Sequence, residues 1–160
     1  MRIVVLGIGN ILCTDDGVGV HTVNELEKRY DLPPEITVVD GGTSAMDCLD
    51  QMADADHMLI ADAMKFHAEP GAIKRVDHDG LQAHFKTKLS PHQVGLSDVL
   101  ATMNLHGIMP KRVVLFGMQP KSFELGLELS PEVAPHMPAL LACLVDELAA
   151  IGVPVRAKAA

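Results

Sequence analysis

Arg2-Ile3-Val4-Val5-Leu6-Gly7 opens the chain with an unbroken apolar run rich in β-branched residues, and Ile8-Gly9-Asn10 follows it directly. A strand with one solvated face alternates polar and apolar side chains. A continuous run is the pattern of a strand buried on both faces. That reading predicts a parallel sheet covered by helices on both sides. The run is too short for a secretory signal, and the glycines interrupt it.

The segments that follow keep alternating. Val20, Val23, Leu26 and Tyr30 share one helical face over 18–30, and Pro33-Pro34 closes that unit. Ile36, Val38 and Val39 mark a second strand over 35–40, which Asp40-Gly41-Gly42-Thr43 ends as a turn. Ser44 is a candidate cap for a helix striped by Met46, Leu49 and Met52. Residues 57–62 form a third apolar strand that ends on Asp62, and 72–76 a short edge strand. Residues 81–93 are polar and read as a long loop carrying Ser90-Pro91-His92. A helix over 96–105, a buried strand over 112–117 and a half-exposed strand over 123–129 come next. The longest amphipathic helix spans 131–151, and a tail of about 153–160 is expected to fray. The predicted fold is α/β, a three-layer sandwich with a twisted, mostly parallel β-sheet flanked by helices on both faces. No repeat or linker divides it, so residues 1–160 are read as one domain.

Composition narrows the function classes. Apolar residues make up 48% and charged residues 21%, a globular composition. Thirteen basic against 21 acidic residues give a net charge of −8, which repels phosphate backbones and argues against a nucleic-acid partner. No apolar run is judged long enough to span a bilayer, so membrane insertion is not expected. Three unpatterned cysteines, Cys13, Cys48 and Cys143, point to free thiols in a reducing cytoplasm. The expected state is a monomer.

In open parallel sheets ligands bind beyond the carboxyl ends of the strands. Asp16 follows the first strand, Asp40 ends the second, Asp62 ends the third and His92 lies in the long loop, so all four can face one crevice. Two carboxylates and an imidazole, Asp16, Asp62 and His92, suit a divalent metal. Ordinary readings stand beside this one. Asp15 and Asp16 also suit the dipole of a helix start, Asp40 suits a turn, and His92 suits an exposed loop. Cys13 is either a further soft ligand or a small buried thiol. The other seven histidines are read as structural or solvated. A nucleotide site is the rival reading of Gly7-Ile8-Gly9 with Asp40. Against it, Leu12 occupies the third glycine position, so close helix–strand approach is expected to be lost. Asp15 and Asp16 would also repel a pyrophosphate. No Gly-x-Ser-x-Gly elbow or motif-bound cysteine marks a covalent nucleophile.

Taken in order, Gly7-Ile8-Gly9-Asn10-Ile11-Leu12 with Asp15-Asp16-Gly17-Val18-Gly19, Asp40-Gly41-Gly42-Thr43, Ile60-Ala61-Asp62-Ala63 and Ser90-Pro91-His92-Gln93 resemble the hydrogenase maturation proteases. The resemblance extends to Phe116-Gly117-Met118-Gln119-Pro120 and Glu124-Leu125-Gly126-Leu127-Glu128-Leu129-Ser130, and so covers nearly the whole chain.

The resemblance implies an endopeptidase that removes the C-terminal extension of the nickel-loaded large-subunit precursor of a nickel–iron hydrogenase. It implies that Asp16, Asp62 and His92 bind the metal and serve catalysis, with nickel carried by the substrate and other divalent metals able to occupy the site. Many relatives have Glu where this chain has Asp16, and the shorter arm shifts the carboxylate by roughly 1.5 Å. Without thiolates the site should hold nickel less firmly than a cysteine-rich hydrogenase site. The metal would polarise the scissile carbonyl or acidify a water. Either Asp16 or Asp62 can act as general base, as in an aspartyl protease. Asp40, Gly41, Gly42 and Thr43 are candidates for positioning the substrate chain. Asp62 and His92 are expected to be partly exposed. A nickel-binding assembly factor without peptidase activity remains the second function class.

Overall fold

The computed structural model of the chain describes residues 1–81 and 91–159, with the side chains of 91–95 outside the described set. Among the described residues five strands form one sheet: β1 (Ile3–Ile8), β3 (Ile36–Gly42), β4 (His57–Ala63), β5 (Ile73–Val76) and β6 (Arg112–Met118). Their spatial order is β3-β1-β4-β6-β5. The β1–β3, β1–β4 and β4–β6 pairs are parallel, and only the edge strand β5 runs antiparallel. The remaining strands, β2 (Tyr30–Asp31) and β7 (Arg156–Ala157), form a separate two-stranded ladder.

The opening run behaves as its pattern dictates. All six residues of β1 are buried. Ile3 and Val5 pack on one side with Val23 and Leu26 of α1 (Val18–Arg29) and with Leu140, Leu144 and Leu148 of a later helix, Met137–Ile151. Val4 and Leu6 pack on the other side with Met52 of α2 (Leu49–Met52) and Leu96, Val99 and Met103 of α3 (Pro91–Leu105). The helix Met137–Ile151 is α4. Two cores, one per face of the sheet, make the three-layer sandwich. Methionine fills the side with few aromatics: Met52, Met58 and Met103 are wholly buried there.

Several expectations need correction. Strand β3 does not stop at Asp40. Register shifts between Gly7 and Ile8, so that Asp40 pairs with Gly7 and Gly42 with Ile8, leaving Gly41 bulged. Ser44 makes no side-chain cap, and the chain enters a 3-10 turn, Ala45–Cys48, before α2. Residues 123–129 form no strand; their only ladder contact is an isolated bridge between Gly126 and Cys13, while Phe123 and Leu129 pack against the core. The helix expected over 96–105 starts at Pro91, because proline suits the first helical position, where no N–H is needed. The rest of the expected loop, 82–90, lies outside the described residues, and residues 78–81 are already helical. The tail is not frayed at Arg156–Ala157, which pairs with Tyr30–Asp31, and the Lys158 N–H donates to Arg29 O at 2.8 Å.

Close helix–strand approach is kept despite Leu12. A Cβ on Gly19 would lie 2.0 Å from Ala61 O, and one on Gly7 2.8 Å from Gly19 O. The two glycines therefore let α1 sit directly on β1 and β4. The judgement that no apolar run suffices to span a bilayer has one exception. Ala134–Ile151, 18 residues, is long and apolar enough by length and composition alone, although Leu140, Leu144 and Leu148 are buried against the sheet.

Candidate functional site

The site is built where β1 and β4 end. Gly9 has φ +130°, and a Cβ there would fall 1.9 Å from Asp16 O, so only glycine lets the chain pass under the turn that follows. Asn10 comes next. Its backbone N–H donates to Asp16 Oδ2 at 3.0 Å, and its side-chain Oδ1 accepts from the Leu12 N–H at 2.9 Å. A 3-10 turn, Thr14–Gly17, then delivers two adjacent carboxylates to different surroundings.

Asp15 is turned inward and completely buried. Its carboxylate accepts from the N–H groups of Lys121 (2.9 Å), Ser122 (3.0 Å) and Ser130 (2.8 Å) and from Ser130 Oγ (2.8 Å). Asp16 is 8% exposed and reaches the wall of a crevice of about 370 Å³. Asn10, Gly42, Thr43, Leu96 and Asp98 line the same crevice.

Asp62 lies at the carboxyl end of β4, opposite Gly117 of β6. The close contact of Gly19 with Ala61 presses the first turn of α1 against that strand end. Asp62 is not partly exposed as expected: it is 2% exposed. Burial pushes its carboxyl well above the ordinary value of 3.8, and the negative charge of Asp16 adds to the effect, while a hydrogen bond from the Ala63 backbone opposes it. The two carboxylates thus sense each other inside the protein, an arrangement common at functional sites.

The other expected residues divide. Gly42 and Thr43 are on the crevice wall. Asp40 is exposed, and Gly41 is buried where a Cβ would meet Leu6 Cδ1 at 2.9 Å; neither is on that wall. His92 is not in a loop but in the first turn of α3, and its side chain lies outside the described residues. The next turns of that helix place Leu96, Asp98 and Val99 at the crevice. Among the described residues no group of three His, Cys, Asp or Glu side chains is gathered for a metal ion. Two oxygen donors at a strand end do suit the hard side of a divalent cation, which would relieve their like charge. Cys13, Cys48 and Cys143 are free thiols, and Cys13 is half-buried.

A family model described as hydrogenase maturation protease matches residues 20–147. The chain belongs to the hydrogenase maturation protease family. The hydrogenase 2 maturation protease of Escherichia coli strain K12 is 46% identical over 135 residues, covering 83% of this chain and 82% of that relative. The hydrogenase expression/formation protein HupD of Bradyrhizobium diazoefficiens is 40% identical, with coverage of 99% and 84%. The structure of the hydrogenase maturating endopeptidase HybD from E. coli superposes with a TM-score of 0.92 at 40% identity, covering 99% of this chain and 98% of the other.

In this protease, sequence reasoning passed over three residues. Asn10 and Asp98 line the crevice. Asn10 was legible as a polar residue directly after the Gly-x-Gly of a strand end; Asp98, mid-helix, offered no signal. Asp15 was treated as equivalent to Asp16, although its partners are more than a hundred residues away.

Proposed function

We propose that this protease removes the C-terminal extension of the large-subunit precursor of a nickel–iron hydrogenase once nickel has been inserted, acting in the cytoplasm as a monomer. The observation that carries the reading is the pairing of Asp16 with the buried Asp62 beside the crevice. Two carboxylates that repel each other gain when a divalent cation arrives.

Nickel comes with the substrate, and Asp16, Asp62 and His92 are its proposed ligands on the protease. Oxygen and imidazole donors accept other divalent metals as well. Nickel held there would supply Lewis acidity for the scissile carbonyl. The Asp16–Asp62 pair does the aspartyl chemistry. It takes a proton from the attacking water as the water oxygen bonds to the carbonyl carbon, and returns a proton to the amide nitrogen as the C–N bond breaks. The Asn10 N–H fixes Asp16 during these transfers. Gly42 and Thr43 meet the substrate chain on the crevice wall, and Asp40 and Gly41 hold the bulged strand end that carries them.

The test is mass spectrometry of purified nickel-loaded precursor incubated with the protein. Loss of a C-terminal peptide is the expected result. Binding without shortening would identify a nickel-binding assembly factor instead. A rise in melting temperature on adding NAD or ATP would revive the nucleotide reading.

A further inference from the structure

Seven large apolar side chains are exposed among the described residues, and four of them, Ile11, Leu12, Leu125 and Leu127, stand on two adjoining segments. Leu125 is 87%, Leu127 68% and Leu12 53% exposed. The two segments that carry them are joined backbone to backbone. Gly126 N–H donates to Leu12 O at 2.9 Å, and Thr14 N–H donates to Gly126 O at 2.9 Å. The Thr14 hydroxyl donates to Glu124 O. An irregular surface segment with exposed leucines is normally left loose. This one is anchored at both ends by the buried carboxylate of Asp15, through Lys121 and Ser122 on one side and Ser130 on the other. A pre-ordered apolar ridge loses little further entropy on binding, which is what a docking surface requires.

We infer that Leu12, Leu125 and Leu127 form the ridge on which the precursor polypeptide docks beside its scissile bond. The inference rests on the protease reading proposed above and names where the substrate is gripped. Continuity selects this occupant. Leu12 belongs to the same loop whose Asn10 and Asp16 face the crevice, and a further exposed apolar side chain, Met46, lines the crevice itself. The ridge and the crevice thus share one loop, Asn10 to Asp16. Exposed Glu124 and Glu128 flank Leu125 and Leu127, so the complementary stretch of precursor is apolar and bordered by basic residues.

Leu125→Ser/Leu127→Ser tests this, because side chains this exposed contribute little to the folded core. With nickel-loaded precursor as substrate, the double variant should raise KM about 10-fold while kcat stays within about 2-fold. Leu105→Ser, at an 84% exposed position where α3 ends ahead of the start of β6, toward the amino ends of the strands and away from the site, should leave both constants unchanged. A calorimetric titration of the precursor into Asp62→Asn, with and without the ridge substitutions, reads docking where cleavage is absent; the ridge substitutions should weaken Kd about 10-fold. Unchanged KM and Kd in the ridge variant would overturn the docking surface while wild-type cleavage keeps the protease reading. Weakened Kd with no wild-type cleavage would do the reverse. If sedimentation shows that the ridge substitutions split a dimer while precursor affinity is unaltered, the ridge joins two copies and the inference fails.

Discussion

Asp15 holds Ser130 with both oxygens of its carboxylate, Oδ1 accepting from the Ser130 N–H and Oδ2 from its hydroxyl, each at 2.8 Å, although the residues are 115 apart in sequence. This grip fixes the 121–130 segment against the turn that carries Asp16. Asp15→Ala leaves the buried Ser130 N–H without its acceptor, and a lost charged partner is expensive inside a protein. The expected cost is about 3 kcal/mol, read as a lower urea midpoint with an unchanged m-value. Peptidase activity should fall with it, because the turn bearing Asp16 loses its anchor. A midpoint equal to wild type would mean that the four hydrogen bonds are replaced by water at no cost.

Gly19→Ala addresses the contact that sets the two carboxylates side by side. The new methyl would meet Ala61 O at 2.0 Å and Ile8 O at 2.8 Å, both backbone atoms that cannot swing aside. Helix α1 must lift off the sheet, costing about 1–3 kcal/mol. A displacement of about 1 Å at the site costs on the order of 100-fold in rate. Thermal melts and a cleavage assay on the same preparation check both effects, and normal turnover would show that Asp16 and Asp62 tolerate separation.

Acid–base behaviour provides a third test. The folded protein holds the Asp62 carboxyl well above 3.8, chiefly through burial and then through Asp16. Between 3.8 and that raised value the folded state binds more protons than the unfolded chain, so stability falls as pH rises through the window. Below 3.8 both states are protonated and the penalty disappears. Asp62→Asn removes the titration. In chelator its melting temperature should exceed that of wild type by a few degrees at neutral pH, with the gap closing as pH falls toward 3.8. A gap that does not vary with pH would contradict the burial of a charge at this position.

The sheet was legible because β1, β4 and β6 are continuous apolar runs, and nothing but burial on both faces explains such runs. The ends of elements were less so. Alternation over 123–129 imitates a strand, yet Leu125 and Leu127 alternate because they stand out as a ridge, held by a side chain from far upstream. A bond between Asp15 and Ser130 leaves no local trace in sequence. Pro91 was a readable helix start, and following it would have moved His92 from a loop to a first helical turn. Asp16 and Asp62 were singled out by their place after strands. The burial of Asp62 was not foreseen, since depth depends on α1 lying close through Gly7 and Gly19.

The chain end offers a modest prediction. Deleting residues 156–160 removes the β2–β7 ladder and the Lys158 contacts with Arg29 O and Glu27 O. These bonds are mostly exposed, so the loss should be about 1 kcal/mol. They sit where α1 ends, away from the crevice, so cleavage should be unaffected. A truncated protein that melts like the full chain would show the ladder to be without consequence.

Asp16, Asp62 and His92 are proposed to act through nickel that the substrate carries. The most direct measurement is mass spectrometry of the purified large-subunit precursor, prepared with and without nickel, after exposure to wild type, Asp62→Asn and His92→Ala. Wild type should shorten only the nickel-loaded form, and neither variant should shorten either form. Equal cleavage of loaded and empty precursor by wild type, or normal cleavage by His92→Ala, would contradict it.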